Sequence, residues 1–173
     1  MELNYSFRPV LKKTQPLIVT ICIAATGLVL LFVAGLWPYP ALWQGLSICL
    51  LVTAVYLASH YLLTEYEYMI QTRMQGFDEE DETPTYDFVI LKNSKVVVRV
   101  GLETVYELVW EEKGTVKKAN RTYTYVAQWK PQKVCCLTYL DTSCEGGEPV
   151  RVRFLSDDVL FEYLKMTMNP DAK

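Results

Sequence analysis

Residues 16–63 contain no Asp, Glu, Lys or Arg. Apart from Cys and Tyr, the only ionisable side chain in that stretch is His60. It divides at Pro38, Tyr39 and Pro40 into two apolar segments, residues 16–37 (PLIVTICIAATGLVLLFVAGLW) and 41–63 (ALWQGLSICLLVTAVYLASHYLL). As a helix the first is about 33 Å long, enough to cross a hydrocarbon core of about 30 Å. Its Leu, Ile, Val and Phe residues together favour insertion by roughly 4 to 7 kcal/mol. Backbone groups in a bilayer must be paired within the segment, so both segments are expected to be helices. Two prolines in the short connection stop the first helix and force a reversal, giving a tight transmembrane hairpin. A signal peptide would have a shorter apolar core and a cleavage site, not a second apolar segment.

Aromatic residues flank the hairpin. Trp37, Tyr39 and Trp43 mark one interface, and Tyr61, Tyr66 and Tyr68 are expected near the other. Thr20, Ala24 and Gly27 share one helical face, and Ser47, Ala54 and Ala58 share another. Such small-residue stripes let two helices approach closely. Packing of the hairpin on itself is the favoured use, and contact with another membrane subunit is the alternative. His60 sits near the end of the second segment and reads as an interfacial histidine rather than a proton relay. Arg8, Lys12 and Lys13 precede the first segment and the turn carries no positive charge. The N-terminus is therefore expected in the cytoplasm, and two crossings return the C-terminal part to the same side of the cell membrane.

The rest of the chain is acidic. Of 17 Lys and Arg and 20 Asp and Glu in all, only Glu2, Arg8, Lys12 and Lys13 precede residue 64. An acidic domain lacks the basic face that nucleic acid requires. The five cysteines (Cys22, Cys49, Cys135, Cys136 and Cys144) are odd in number and irregularly spaced, which fits a reducing compartment. The expected division is a cytoplasmic segment (1–15), the membrane hairpin (16–63) and a soluble β-rich domain (64–173).

In that domain Tyr66, Tyr68 and Ile70 alternate with Glu67, Met69 and Gln71, the signature of a half-buried strand. Five consecutive acidic residues from Asp78 to Glu82 predict a solvated loop. Further strands are expected at residues 86–92, 95–100, 104–110, 122–129, 133–140 and 150–155, which are rich in β-branched and aromatic residues. Asn93-Ser94 makes a tight turn, and Gly146-Gly147 marks another. A final helix follows, with Ser156 as its cap and Asp157 and Asp158 at the positive end of its dipole. Asn169-Pro170 ends it. The fold class is thus an α+β membrane protein: a transmembrane helical hairpin, then an antiparallel β domain of about seven strands closed by one C-terminal helix.

This order is similar to the pleckstrin-homology-like (PH-like) fold. The resemblance is carried by Tyr66-Glu67-Tyr68-Met69-Ile70 directly after a membrane helix, and by Phe154-Leu155-Ser156-Asp157-Asp158 leading into the last helix. The chain resembles a family of uncharacterised bacterial membrane proteins in which a two-helix hairpin carries a PH-like domain. That resemblance implies binding or scaffolding and transfers no catalytic residue.

The residues themselves offer little chemistry. Any Ser-His-Asp or Cys-His arrangement would have to use His60, at the membrane boundary. Phosphate-binding glycine loops and metalloprotease motifs are missing. Cys135 and Cys136 are adjacent and would point to opposite faces of a strand, unsuited to holding one metal. No catalytic, cofactor-binding or metal-binding residues are expected. The one basic cluster of the domain is Lys113, Lys117, Lys118 and Arg121, expected in a hairpin loop. It is the candidate lipid-contact site, each base adding about 1 kcal/mol near an anionic leaflet. A solubilising loop is the plain alternative. The expected function is a membrane-anchored, non-catalytic binding or scaffold protein. Its partners would be the lipid bilayer and a protein or anionic lipid headgroups. The alternatives are an accessory subunit of a membrane complex such as a transporter, and an enzyme acting beside the membrane.

Overall fold

The computed structural model describes residues 5–73, 85–111, 119, 121–129, 131, 133–141 and 147–168. The chain divides into two compact units. One is helical and holds residues 11–64 and 127–129; the other is a β unit formed by the remaining described residues.

The helical unit contains α1 (Thr14–Val33), a 3-10 turn (Ala34–Leu36), α2 (Pro40–Leu57) and a π turn (Ala58–Leu62). Pro16 falls in the first turn of α1 and Pro40 opens α2, where a missing N–H costs nothing because those amides lack helical partners. Tyr39 makes the reversal with φ of 61°. Trp43 Nε1 donates to the Pro38 carbonyl at 3.1 Å, and its ring meets Trp37 edge-on at 4.5 Å. Between the helices the buried residues are small. Thr20, Gly27 and Ala34 recur every seventh position, as do Ser47 and Ala54. A seven-residue seam is that of two helices wound gently about each other. Ser47 Oγ donates to the Gly27 carbonyl at 2.7 Å. A Cβ at Gly27 would lie 3.1 Å from Leu51 Cγ, so glycine sets this approach. The small-residue stripes therefore pack the hairpin on itself. Both helices are long and apolar enough to cross a membrane. Only 17% and 11% of their most apolar windows are buried, unlike the core helix of a soluble protein. Leu17, Val29, Phe32, Leu42, Val52 and Val55 all face outward.

Among the described residues the β unit has eight strands in two four-stranded sheets, of order β1-β2-β3-β4 and β5-β7-β8-β6. The first contains β1 (Tyr5–Phe7), β2 (Tyr66–Arg73), β3 (Thr85–Lys92) and β4 (Lys95–Gly101). The second contains β5 (Val105–Trp110), β6 (Arg121–Tyr125), β7 (Val134–Asp141) and β8 (Glu148–Leu155). Their inner faces meet through Tyr68, Ile70, Phe88 and Ile90 on one side and Leu137, Val150, Val152 and Phe154 on the other, all almost fully buried. The Phe88 and Phe154 rings are 4.8 Å apart. Helix α3 (Asp158–Met168) adds Leu160 and Leu164 to this core and stacks Phe161 on Trp110 at 4.6 Å.

Several expectations change. An eighth strand, β1, pairs antiparallel with β2, matching Tyr5 to Ile70 and Phe7 to Tyr68. Three residues are too few to show a period in sequence. The segment before α1 thus supplies an edge strand, on the far side of the helical hairpin in sequence. Tyr66 and Tyr68 do not form an exposed aromatic belt: strand alternation turns them into the core, at 8% and 0% exposure. The Tyr68 hydroxyl donates to the Tyr125 carbonyl at 2.6 Å. Helix α3 is capped by Asp157 rather than Ser156; Asp157 Oδ1 accepts from the Leu160 amide at 2.7 Å, the bond a residue three before the recipient makes.

The largest change concerns β5 and β6. They are not a hairpin but the two opposite edges of their sheet. β6 also runs parallel to β8, with Tyr123 beside Val152 and Tyr125 beside Phe154, so the second sheet is antiparallel except at this edge. Its strand ends at Tyr125, short of the expected Trp129. Residues 127–129 join the helical unit, where the Trp129 ring meets Tyr61 at 5.0 Å.

Candidate functional site

Of the four residues in the expected lipid-contact site, Lys113, Lys117 and Lys118 lie outside the described residues. Arg121 opens β6, exposed at the edge of the second sheet, with its Nε 3.5 Å from Glu148 Oε2. Both side chains are about half in solvent, so this pair is weak. The strands on either side of the lysines, β5 and β6, are the opposite edges of the sheet and do not form the expected hairpin. Tight turns serve adjacent antiparallel strands only, and these strands are neither.

The structure builds a second polar site that sequence reasoning missed, on the outer face of the same sheet. Along β8, Val150, Val152 and Phe154 enter the core, so Arg151 and Arg153 must point the other way. Register brings Arg151 beside Thr138 and Arg153 beside Cys136 on β7, with Glu107 on β5 beside Thr138. Glu111 follows the end of β5. Arg153 grips Glu111 Oε2 through Nη2 at 2.8 Å and Nε at 3.3 Å, and reaches Thr124 on β6 at 3.4 Å. Arg151 Nη2 is 3.6 Å from Glu107 Oε2, which also accepts from the Thr138 hydroxyl at 3.1 Å. Arg151 is only 6% exposed, and its Nε has no hydrogen-bond partner. The alternation VRVRF was the available signal. It gives the face but not the partners, which come from a strand two places away.

Two arginines and two glutamates balance in charge, so this face is a cross-strand ion-pair ladder. The Cys136 thiol within it is pushed up first by burial and next by Glu111, and so stays protonated. Cys135, on the inner face, is also pushed up by burial, and lies 3.4 Å from the Val109 carbonyl. Neither is a thiolate nucleophile at neutral pH.

A third cluster lies on the outer face of the first sheet. Asp87, 5% exposed, is 3.1 Å from Arg73 Nη2 and 3.9 Å from Arg99 Nε. Arg73 also approaches Glu103 at 3.6 Å. Nearby Glu67 accepts from Arg8 at 2.7 Å and Ser6 at 2.6 Å. Those two bonds, Arg8's above all, hold its carboxyl below the usual range. They clasp β1 to β2. His60 lies in the π turn, its ring stacked on Tyr56 at 6.0 Å and edge-on to Tyr61 at 4.6 Å. Among the described residues, no three His, Cys, Asp or Glu side chains are placed to hold a metal ion.

No family model, curated protein or solved structure matches the chain.

Proposed function

We propose that this protein is a membrane-anchored, non-catalytic binding or scaffold protein that presents a PH-like domain at the cytoplasmic face of the cell membrane. The observation that carries this reading is the pairing of β1 with β2. These strands flank the helical hairpin in sequence yet are neighbours in one sheet. A hairpin whose two ends continue into adjacent strands enters and leaves a bilayer on the same side. The outward-facing apolar side chains of α1 and α2 support insertion. Arg8, Lys12 and Lys13 support the cytoplasmic side. Two β-sheets around one core, closed by a C-terminal helix, support the PH-like reading. The parallel β6 would then be a departure from a simple meander.

The test has two arms. Trypsin applied to inverted membrane vesicles should remove the β unit, whereas in right-side-out vesicles it should be protected. The opposite pattern rejects the cytoplasmic placement. Native mass spectrometry of the intact protein, extracted in mild detergent, should show a bound anionic lipid or a stoichiometric protein partner. Lipid retained through the basic cluster should be lost when Lys113, Lys117, Lys118 and Arg121 are all changed to Glu. A chain that carries neither lipid nor protein rejects the binding role.

A further inference from the structure

The end of the β3–β4 hairpin is tied to Glu65, just before β2 and three residues after the π turn. The Asn93 amide donates to the Glu65 carbonyl at 2.9 Å, and Asn93 Oδ1 accepts from the Glu65 amide at 2.8 Å. Asn93 and Ser94 form the turn with φ of 49° and 65°, the left-handed pair of a type I′ hairpin. The apolar span ends at Leu62, so Glu65 is three residues beyond it. Leu63 and Glu65 are at most about 7 Å apart by chain length, and a hydrogen-bonded strand neighbour adds about 5 Å. The turn therefore lies within about 12 Å of Leu63 whichever way the chain runs. The headgroup layer is itself about 5 to 7 Å thick on each side.

The composition of this end fits such a position. Lys92 and Lys95 flank the turn and are exposed. Beyond them the register slips between Ile90 and Leu91, so Ile90 faces Val98 but Leu91 faces Val96. Val98 and Val100 lie opposite the core residues Ile90 and Phe88. Without the bulge, alternation would turn Val96 the same way. With it, Val96 and Val97 are 55% and 41% exposed, two consecutive valines beside two lysines. Glu65 is the acidic neighbour, leaving an excess of positive charge.

We propose that this hairpin end is a membrane-contact surface that seats on anionic lipid beside the second helix. Lys92 and Lys95 take the lipid phosphates, and Val96 and Val97 rest in the apolar edge of the interface. The assignment rests on the reading of α1 and α2 as membrane-crossing. The competing occupant is a second copy of the chain, paired along the free edge of β4. A bulge and an edge lysine both act against that pairing, whereas neither impedes a lipid surface.

The full chain, reconstituted in vesicles of phosphatidylcholine and phosphatidylglycerol, would carry a nitroxide at one site at a time. The background is Cys22→Ser, Cys49→Ser and Cys144→Ser; Cys135 and Cys136 are buried. Labels go on Val96→Cys, Val97→Cys, Val159→Cys on α3 and Val29→Cys on α1, and collisions with oxygen and a water-soluble nickel chelate are measured. The expected result is several-fold fewer chelate collisions at 96 and 97 than at 159, with a smaller difference in pure phosphatidylcholine. Equal chelate access at 96, 97 and 159, with 29 still shielded, overturns the contact and leaves the anchor standing. Chelate access at 29 overturns the anchor and the contact with it. Spin–spin broadening at 96 or 97 assigns the edge to a second copy and overturns the lipid contact. Measuring two adjacent positions guards against one label disturbing the bulge.

Discussion

Arg151 shows how much a single residue can owe to its register. Its neighbours along β8 are core residues, Thr138 on β7 lies beside it, and its side chain is buried on the outer face of the sheet. Its carboxylate partner, Glu107, must reach from β5 across β7. Removing one member of a buried pair is worse than removing both, because the survivor keeps its desolvation cost. Glu107→Ala is expected to lower stability by about 3 kcal/mol. Combining Glu107→Leu with Arg151→Met should recover most of that loss. Denaturant titration of the full chain in detergent checks both. A single-variant loss within about 0.5 kcal/mol, as for an ordinary surface substitution, would mean that Arg151 is stabilised without Glu107. The sequence announces that Arg151 and Arg153 share a face through strict alternation. Their partners were hidden, because pairing order between strands far apart in the chain leaves no local trace.

At the scale of elements, the helical hairpin was the most legible part. A charge-free run bounded by prolines admits few other conformations, and the positions of Thr20, Gly27, Ser47 and Ala54 matched the seam. The π turn that ends α2 was not legible; it widens the last turn so that the Leu63 amide reaches back to the Ala58 carbonyl at 3.1 Å. Thr64 completes that end by donating to the Ser59 carbonyl at 2.9 Å. Ser47→Ala removes the hydrogen bond to Gly27 and is expected to cost about 0.6 kcal/mol, the average for such bonds between membrane helices. Gly27→Leu should cost clearly more, since its side chain must displace Leu51 or part the helices. Both follow from unfolding in mixed micelles; a Gly27→Leu loss no greater than that of Ser47→Ala would contradict the close approach. The β5–β6 connection misled for the opposite reason. Adjacent strands usually pair, and nothing in residues 111–120 signals that they do not.

At the scale of the whole molecule, β1 is the element the sequence concealed. Its three residues gain their place from β2, through the register of Phe7 with Tyr68 and through the clasp of Ser6 and Arg8 on Glu67. The Glu67 carboxyl is held below its usual range, so the folded state favours its ionised form. Its contribution is complete above the unfolded value of about pH 4.3 and fades as pH falls through the lower folded value. Amide hydrogen exchange at Tyr5–Phe7 should therefore accelerate, relative to β3, in that acidic window. Glu67→Gln should exchange faster at neutral pH and lose most of that pH dependence. An unchanged profile in the variant would place the pH response elsewhere.

The same pairing has a temporal side. β1 is synthesised before its partner, which follows only after both long apolar helices have been made. In a chain whose helices cross a bilayer, the first sheet can close only after the second crossing has brought residue 66 back to the side where it began. A polypeptide that stalled after one crossing would leave β1 and β2 on opposite sides of the membrane, with the edge of β2 unpaired. Closure of the sheet would then mark that both crossings had been made.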